Sequence, residues 1–263
     1  MSAPAVFDQQ HYDLLNRARG DVVRALLGEL KGPLGLQTVI DVGCGLGYFS
    51  GFLSSLGFDV TGVDGRQQNV VEAQRRNPDI RFVRLDAEDP AMKALGKFDL
   101  VFCFGLLYHL ENPFLTIRHL HEMTRSLLLV EGVTYLGDEP IMGFVDESSW
   151  EDQGLRNCAF YPTEACLIKM MYRAGFPNVF RSATMPDHSE YRDSVESKRI
   201  RTVLAASTVQ VSPGLLTSVP EPPGAPNPWK QQQSMSTLAR LHRFVTKPLP
   251  QKIASIKRLV KRG

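Results

Sequence analysis

Three carboxylates stand where three apolar runs end: Asp41 after "TVI", Asp64 after "FDVTGV" and Asp86 after "IRFVRL". Between the first two lies "DVGCGLGYFS", which sets Gly43, Gly45 and Gly47 at alternate positions. Glycines so placed let a ligand lie against the backbone, and the free N–H groups opening a following helix are ready donors. A fourth apolar run, "FDLVFCF", ends in Gly105 and delivers Tyr108 and His109 in "GLLYHLENP". An imidazole near its ordinary pKa suits proton removal from a hydroxyl, and the same residue would also cap the turn that "HLENP" begins.

The spacing narrows the ligand. The glycines form G-x-G-x-G, whereas dinucleotide binding asks for G-x-G-x-x-G and finds Tyr48 at the required place; no Gly-Lys-Ser/Thr follows as a phosphate loop demands. A carboxylate at Asp41 repels a pyrophosphate and attracts a cation. Asp64, 23 residues further on, is placed to accept from both hydroxyls of a ribose. Asp86, with Ala87 beside it, suits an adenine amino group, and Gly105 leaves room next to an amino-acid portion. S-adenosylmethionine, a nucleoside with a sulfonium and an ammonium, meets all of these requirements.

The elements that must hold these residues follow from periodicity. Continuous Val/Ile/Leu/Phe runs at 37–43, 58–64, 80–86, 98–105 and 126–134 alternate with helix-like stretches, the pattern of a parallel sheet covered on both faces. A helix precedes the first run. Residues 135–161 read as an irregular, acidic and aromatic insertion. "TEACLIKMMYRAG" then reads as a helix with Gly175 as its stop, and "NVFRSATM" and "IRTVLAAS" as a closing antiparallel hairpin. Six prolines between Ser212 and Pro228 mark a linker that no regular element tolerates, so the fold is expected to end near residue 210.

Over residues 35–210 this constellation resembles the class I S-adenosylmethionine-dependent methyltransferases, which implies a Rossmann-like doubly wound sheet, that cofactor, and methyl transfer. "DVGCGLGYFS", "FGLLYHLENP" and "RNCAFYPTEACLIKMMYRAGFPNV" look like segments of the tRNA wobble-uridine carboxymethyltransferases and their methyltransferase relatives. In those tRNA enzymes cationic and tyrosine side chains grip a carboxylated donor; by matching motif Tyr108 and Arg201 correspond to two of them. The third, a lysine, has no counterpart, since "HYDLLNRARGDVV" offers only Arg17 and Arg19. A plain methyl donor is therefore expected. The insertion stands where such enzymes build the substrate wall, which makes Trp150, Arg156 and Tyr161 candidates for acceptor binding, with Arg201 added by the matching motif.

Composition bounds the rest. The apolar fraction of 43% and charged fraction of 22% are those of an ordinary globular protein, and no apolar run reaches the length of a membrane helix. Cys44, Cys103, Cys158 and Cys166 lack paired metal spacing, so no metal is expected and a reducing cytoplasm fits. From Trp229 to Gly263 there are nine Lys or Arg and no acid, in two apolar-striped segments, so the domains read as a helical segment 1–34, a methyltransferase domain 35–210, a linker 211–228 and a basic helical tail 229–263. Such a tail suits an anionic membrane surface, RNA or another subunit. With His109 at the mouth and no Asn-Pro-Pro-Tyr-like amine motif, the expected acceptor is an oxygen of a small molecule, free or linked to sugar or lipid. The alternatives are a tRNA wobble uridine and a non-catalytic binding protein of the same fold.

Overall fold

The computed structural model describes residues 10–147, 154–192, 198–212 and 214–224. Helix α1 (Gln10–Leu30) leads to β1 (Thr38–Val42), α2 (Tyr48–Ser55), β2 (Asp59–Asp64), α3 (Gln67–Arg76), β3 (Arg81–Arg84) and β4 (Phe98–Phe104). A short 3-10 turn, Leu107–His109, follows, then α4 (Pro113–Met123) and the long β5 (Thr124–Tyr135). The chain continues through β6 (Met142–Asp146), β7 (Cys158–Pro162), α5 (Glu164–Ala174), β8 (Asn178–Ser182), β9 (Arg199–Ser207) and β10 (Leu216–Ser218).

Eight strands form one sheet in the order β10-β8-β9-β5-β4-β1-β2-β3. Pairing is parallel from β3 through β5, and antiparallel where β9 lies between β5 and β8 and where β10 joins β8. The expected mostly parallel sheet with an antiparallel hairpin is present. Both faces are buried because side chains alternate along each strand. On β4, Leu100, Phe102 and Phe104 pack with α1 and α2 residues such as Leu26, Phe49 and Leu53. Val101 and Cys103 face the other way, onto Ile117 and Leu120 of α4 and Leu167 and Met171 of α5. Helix α5 begins where expected, its N-cap Thr163 accepting from Cys166 N at 3.1 Å, and ends at Gly175 in the left-handed conformation.

Three boundaries differ from the sequence reading. The third strand stops at Arg84, so Asp86 and Ala87 lie in the loop beyond it. Residues 135–161 are not irregular throughout: β6 and β7 pair antiparallel as a two-stranded ribbon, Met142 opposite Pro162 and Asp146 opposite Cys158. Each strand has only five residues, too short for a clear alternation. Nor does the fold end near residue 210. The stretch between Pro213 and Pro220 is free of proline, and β10 uses it to cover the edge of β8. Beyond it Tyr172 donates to Val219 O at 2.6 Å and Lys169 to Pro222 O at 2.8 Å, tying the expected linker to α5.

The chain divides into two units, 1–222 and 223–263. Of the second only Pro223 and Gly224 are described, so the basic helical tail expected at 229–263 lies outside the described residues. Among the described residues no helix is long and apolar enough to cross a membrane.

Candidate active site

A cavity of about 370 Å³ opens at the C-terminal ends of β1, β2 and β4, where an open α/β sheet binds its ligands. Its floor is the turn after β1. Gly43, Gly45 and Gly47 all have positive φ, at +78°, +53° and +82°, as the tight turn requires. Gly45 faces open space, with nothing within 4 Å of where a Cβ would stand, and so keeps the cavity floor clear. Gly47 does not line the cavity. Its missing side chain instead admits α3, since a Cβ would lie 2.8 Å from Asn77 Nδ2 and 3.1 Å from Ala73 Cβ.

Asp41 is buried at the cavity wall and accepts from Ser50 Oγ at 2.7 Å. Burial pushes its carboxyl up to about 7, the Ser50 bond pulling the other way and the nearby Asp64 charge adding to the rise. Asp64 closes β2 and accepts from Gly45 N at 3.0 Å, Arg66 N at 2.8 Å and Asn69 Nδ2 at 3.1 Å. It thus locks the glycine turn while lining the cavity. Burial raises its pKa too, and the backbone donors offset part of that rise. Asp86 and Ala87 also line the cavity, but Asp86 is already engaged: Oδ1 accepts from Glu88 N at 3.0 Å and Oδ2 pairs with Arg156 at 3.1 Å.

The far end is built by Gly105, Tyr108, His109 and Arg201, together with Tyr12, Asn16 and Arg19 of α1. Beneath it lies a charged network. Glu131 of β5 is fully buried; it pairs with Arg19 at 3.0 Å and Arg201 at 3.1 Å and accepts from Tyr191 Oη at 2.6 Å. Burial alone would push the Glu131 carboxyl up, but the two guanidinium charges outweigh it and hold it below the ordinary range. Arg201 also donates to Tyr108 Oη at 3.3 Å and to Glu190. His109 is held from the ribbon side, its Nδ1 in hydrogen-bond contact with Glu147.

The structure therefore gathers Asp41, Gly43, Gly45, Asp64, Asp86, Ala87, Gly105, Tyr108, His109 and Arg201 around one cavity, and leaves Gly47, Arg156 and Tyr161 off its lining. Tyr161 packs 5.8 Å from the Tyr108 ring and bonds Arg199 at 3.3 Å. Arg156 pairs with Asp86, Glu88 and Glu111. Trp150 lies outside the described residues. Sequence reading missed Glu131, Glu147 and Tyr191, and offered Arg19 only beside Arg17 in place of the absent lysine. One signal was present: Glu131 interrupts "SLLLVEGVT", a strand expected to be covered on both faces, and a charge there demands a partner. Among the described residues no group of His, Cys, Asp and Glu is arranged to hold a metal ion.

Residues 39–128 match the family model described as a methyltransferase domain. Fold, glycine turn and strand-end carboxylates together define a class I S-adenosylmethionine-dependent methyltransferase domain, and the chain carries one. Among curated proteins it is 33% identical over 157 residues to the tRNA U34 carboxymethyltransferase of Actinobacillus succinogenes, covering 56% of this chain and 47% of that protein. The corresponding enzyme of Edwardsiella ictaluri is 32% identical over the same coverage. The chain thus spans about half the length of the curated relatives it matches. Among solved structures it shares its fold with the N-terminal domain of EvdMO1 with SAH bound (TM-score 0.62, 21% identity, 76% of this chain and 84% of that one). It is also similar to magnesium protoporphyrin IX methyltransferase from Synechocystis PCC 6803 with bound SAM (TM-score 0.54, 20% identity, 78% and 88%).

The residues present fit that cofactor. The glycine floor is open at Gly45, Asp41 is a buried acid at the cavity wall, and Asp64 closes β2 against the glycine turn, features a sulfonium nucleoside would need.

Proposed function

We propose that this chain methylates an oxygen of a small molecule, free or carried on a sugar or lipid, using S-adenosylmethionine. The observation that carries the reading is the His109–Glu147 contact, with His109 lining the cavity. When bound, S-adenosylmethionine supplies an electrophilic methyl group on sulfur. The chain's own residues then have three tasks. Asp41 and Asp64 hold the cation and the ribose. Glu147 takes the Nδ1 proton of His109 in a hydrogen bond, which leaves Nε2 with a lone pair to receive the proton of an attacking hydroxyl. Tyr108, fixed by Arg201, bounds the space in which nucleophile and methyl must line up.

A second reading, carboxymethyl transfer to a tRNA wobble uridine, is favoured by the relatives and by the meeting of Arg19, Arg201 and Tyr108 at the same end. Against it stands the charge balance: Glu131 and Glu190 offset the two arginines, leaving little net attraction for a further carboxylate. The acidic ribbon ends also oppose a polyanion.

Calorimetric titration of the protein and an Asp64→Ala variant with S-adenosylmethionine, its carboxylated analogue and S-adenosylhomocysteine tests both readings. Binding of the plain donor, lost in the variant, supports methyl transfer and opens an acceptor screen with labelled methyl. Preference for the carboxylated donor selects the second reading, for which tRNA affinity should fall steeply with salt. No binding of any of the three rejects both.

A further inference from the structure

The insertion 135–161 was expected to wall the acceptor, yet its limb returning from the ribbon lines the cavity beside the acids expected to hold the nucleoside. Gly154 and Leu155 line the cavity alongside Asp64, Gly65, Arg66 and Asp86. Arg66 donates to Gly154 O, and Leu155 lies so close over Gly65 that a Cβ there would be 2.6 Å from Leu155 Cδ1. The next residue, Arg156, spreads its guanidinium over Asp86 at 3.1 Å, Glu88 at 3.2 Å and Glu111 at 3.0 Å, carboxylates from two separate loops. Asn157 O accepts from Glu147 N at 3.0 Å, which ties the limb to the ribbon's own base.

We propose that Leu155 and Arg156 form the nucleoside-side wall of the donor site, Leu155 by touching the purine or ribose and Arg156 as a positioning residue that aims Asp86. The proposal rests on the S-adenosylmethionine reading above. Leu155 is 43% exposed although it borders a cavity. An apolar side chain left in that position gains burial when a flat heterocycle fills the space beneath it. Asp86, Glu88 and Glu111 are three like charges around a single cation. Without Arg156 they repel, and Asp86 loses the bond that fixes its Oδ2. With Arg156 in place each Asp86 oxygen spends one acceptor site on the protein and keeps another for an exocyclic amino group. The insertion that carries Glu147 to His109 thus carries, a few residues later, a wall for the nucleoside as well, the two joined where Asn157 O accepts from Glu147 N.

The test is calorimetric titration of the full-length protein with S-adenosylhomocysteine and with 5′-methylthioadenosine, which keeps the nucleoside and thioether but lacks the amino acid. Leu155→Ala and Arg156→Ala are each expected to weaken both ligands by the same factor, about fivefold or more, with Arg156→Lys intermediate because it keeps the charge but not the fork. A merely structural role would lower the melting temperature of the unliganded protein without this matched loss. If Arg156→Ala does not fold, Leu155→Ala decides alone. Wild-type affinity for both ligands in Leu155→Ala, or loss of S-adenosylhomocysteine with methylthioadenosine unaffected, overturns the wall. A wild-type protein that binds neither ligand overturns the donor reading and the wall with it.

Discussion

His109 and Glu147 meet through Nδ1 and a carboxylate oxygen, with side chains only 7% and 9% exposed. The imidazole comes from the turn after β4, and the carboxylate follows the last residue of β6, so the ribbon sets the orientation of the ring. His109→Ala should leave donor affinity intact and lower turnover by about 10²–10⁴-fold, the range for loss of a positioned base. Glu147→Gln should lower turnover less and also spare donor affinity. Single-turnover methyl transfer beside donor titration separates the two effects, and a His109→Ala enzyme as fast as wild type would remove the base.

If Asp41 holds the donor's cation as proposed, its raised pKa should make donor binding depend on pH. Only the ionised carboxylate attracts the ligand cation, and burial keeps the group protonated until about 7. Affinity should therefore rise about tenfold between pH 6 and pH 8 and then level, a rise that Asp41→Asn abolishes. Stability moves oppositely. The folded state holds this proton more tightly than the unfolded chain, so this group's contribution is fully present below the ordinary carboxylate range and is lost as pH rises toward 7. Chemical denaturation across that window, in wild type and Asp41→Asn, reads this directly.

Gly45 and Gly47 differ in what an added methyl would meet. Gly47→Ala, at φ +82° and against Asn77 and Ala73, should cost about 1–3 kcal/mol of stability. Gly45→Ala meets no neighbour within 4 Å and should cost about 1–2 kcal/mol from its left-handed backbone alone. Its methyl would enter the cavity, so donor affinity should fall more for Gly45→Ala than for Gly47→Ala. Urea unfolding and donor titration of both variants measure the contrast.

Arg19→Met leaves Glu131 buried with one of its two cations and should destabilise the protein by about 3–5 kcal/mol. Adding Glu131→Gln to that variant should recover part of the loss, because the uncompensated charge is gone. Equal stability of single and double variants would show that the cost lies in packing.

The sheet was legible because its strands are continuous apolar runs, which a strand buried on both faces must be. That Asp41, Asp64 and Asp86 share one cavity was legible because they close apolar runs, a position that chain order reveals. Asp86 survived as a lining residue even though β3 stops short of it. The ribbon was not legible: "MGFVD" and "CAFYP" are short and lie far apart, and only their pairing makes them strands. Arg19 reads as one polar position on an amphipathic helix. Its burial depends on Glu131 and Tyr191, which the fold, not the local sequence, brings to it. Arg156 reads as a loop cation, and nothing local distinguishes a partner among three acids from an acceptor.

The placement of β9 has a consequence for the order in which the molecule is born. Arg201 meets Glu131 across β9 and β5, and 70 residues separate them in the chain. A nascent chain that has emerged only through β8 already holds the glycine turn and Asp41, Asp64 and Asp86. It lacks Arg201, so a buried acid waits with half its counter-charge until the last long strand slides in beside it. Non-local pairings of this kind form late. The far wall of the cavity is therefore completed by the arrival of β9, and a prematurely terminated copy is left with a wall that lacks Arg201.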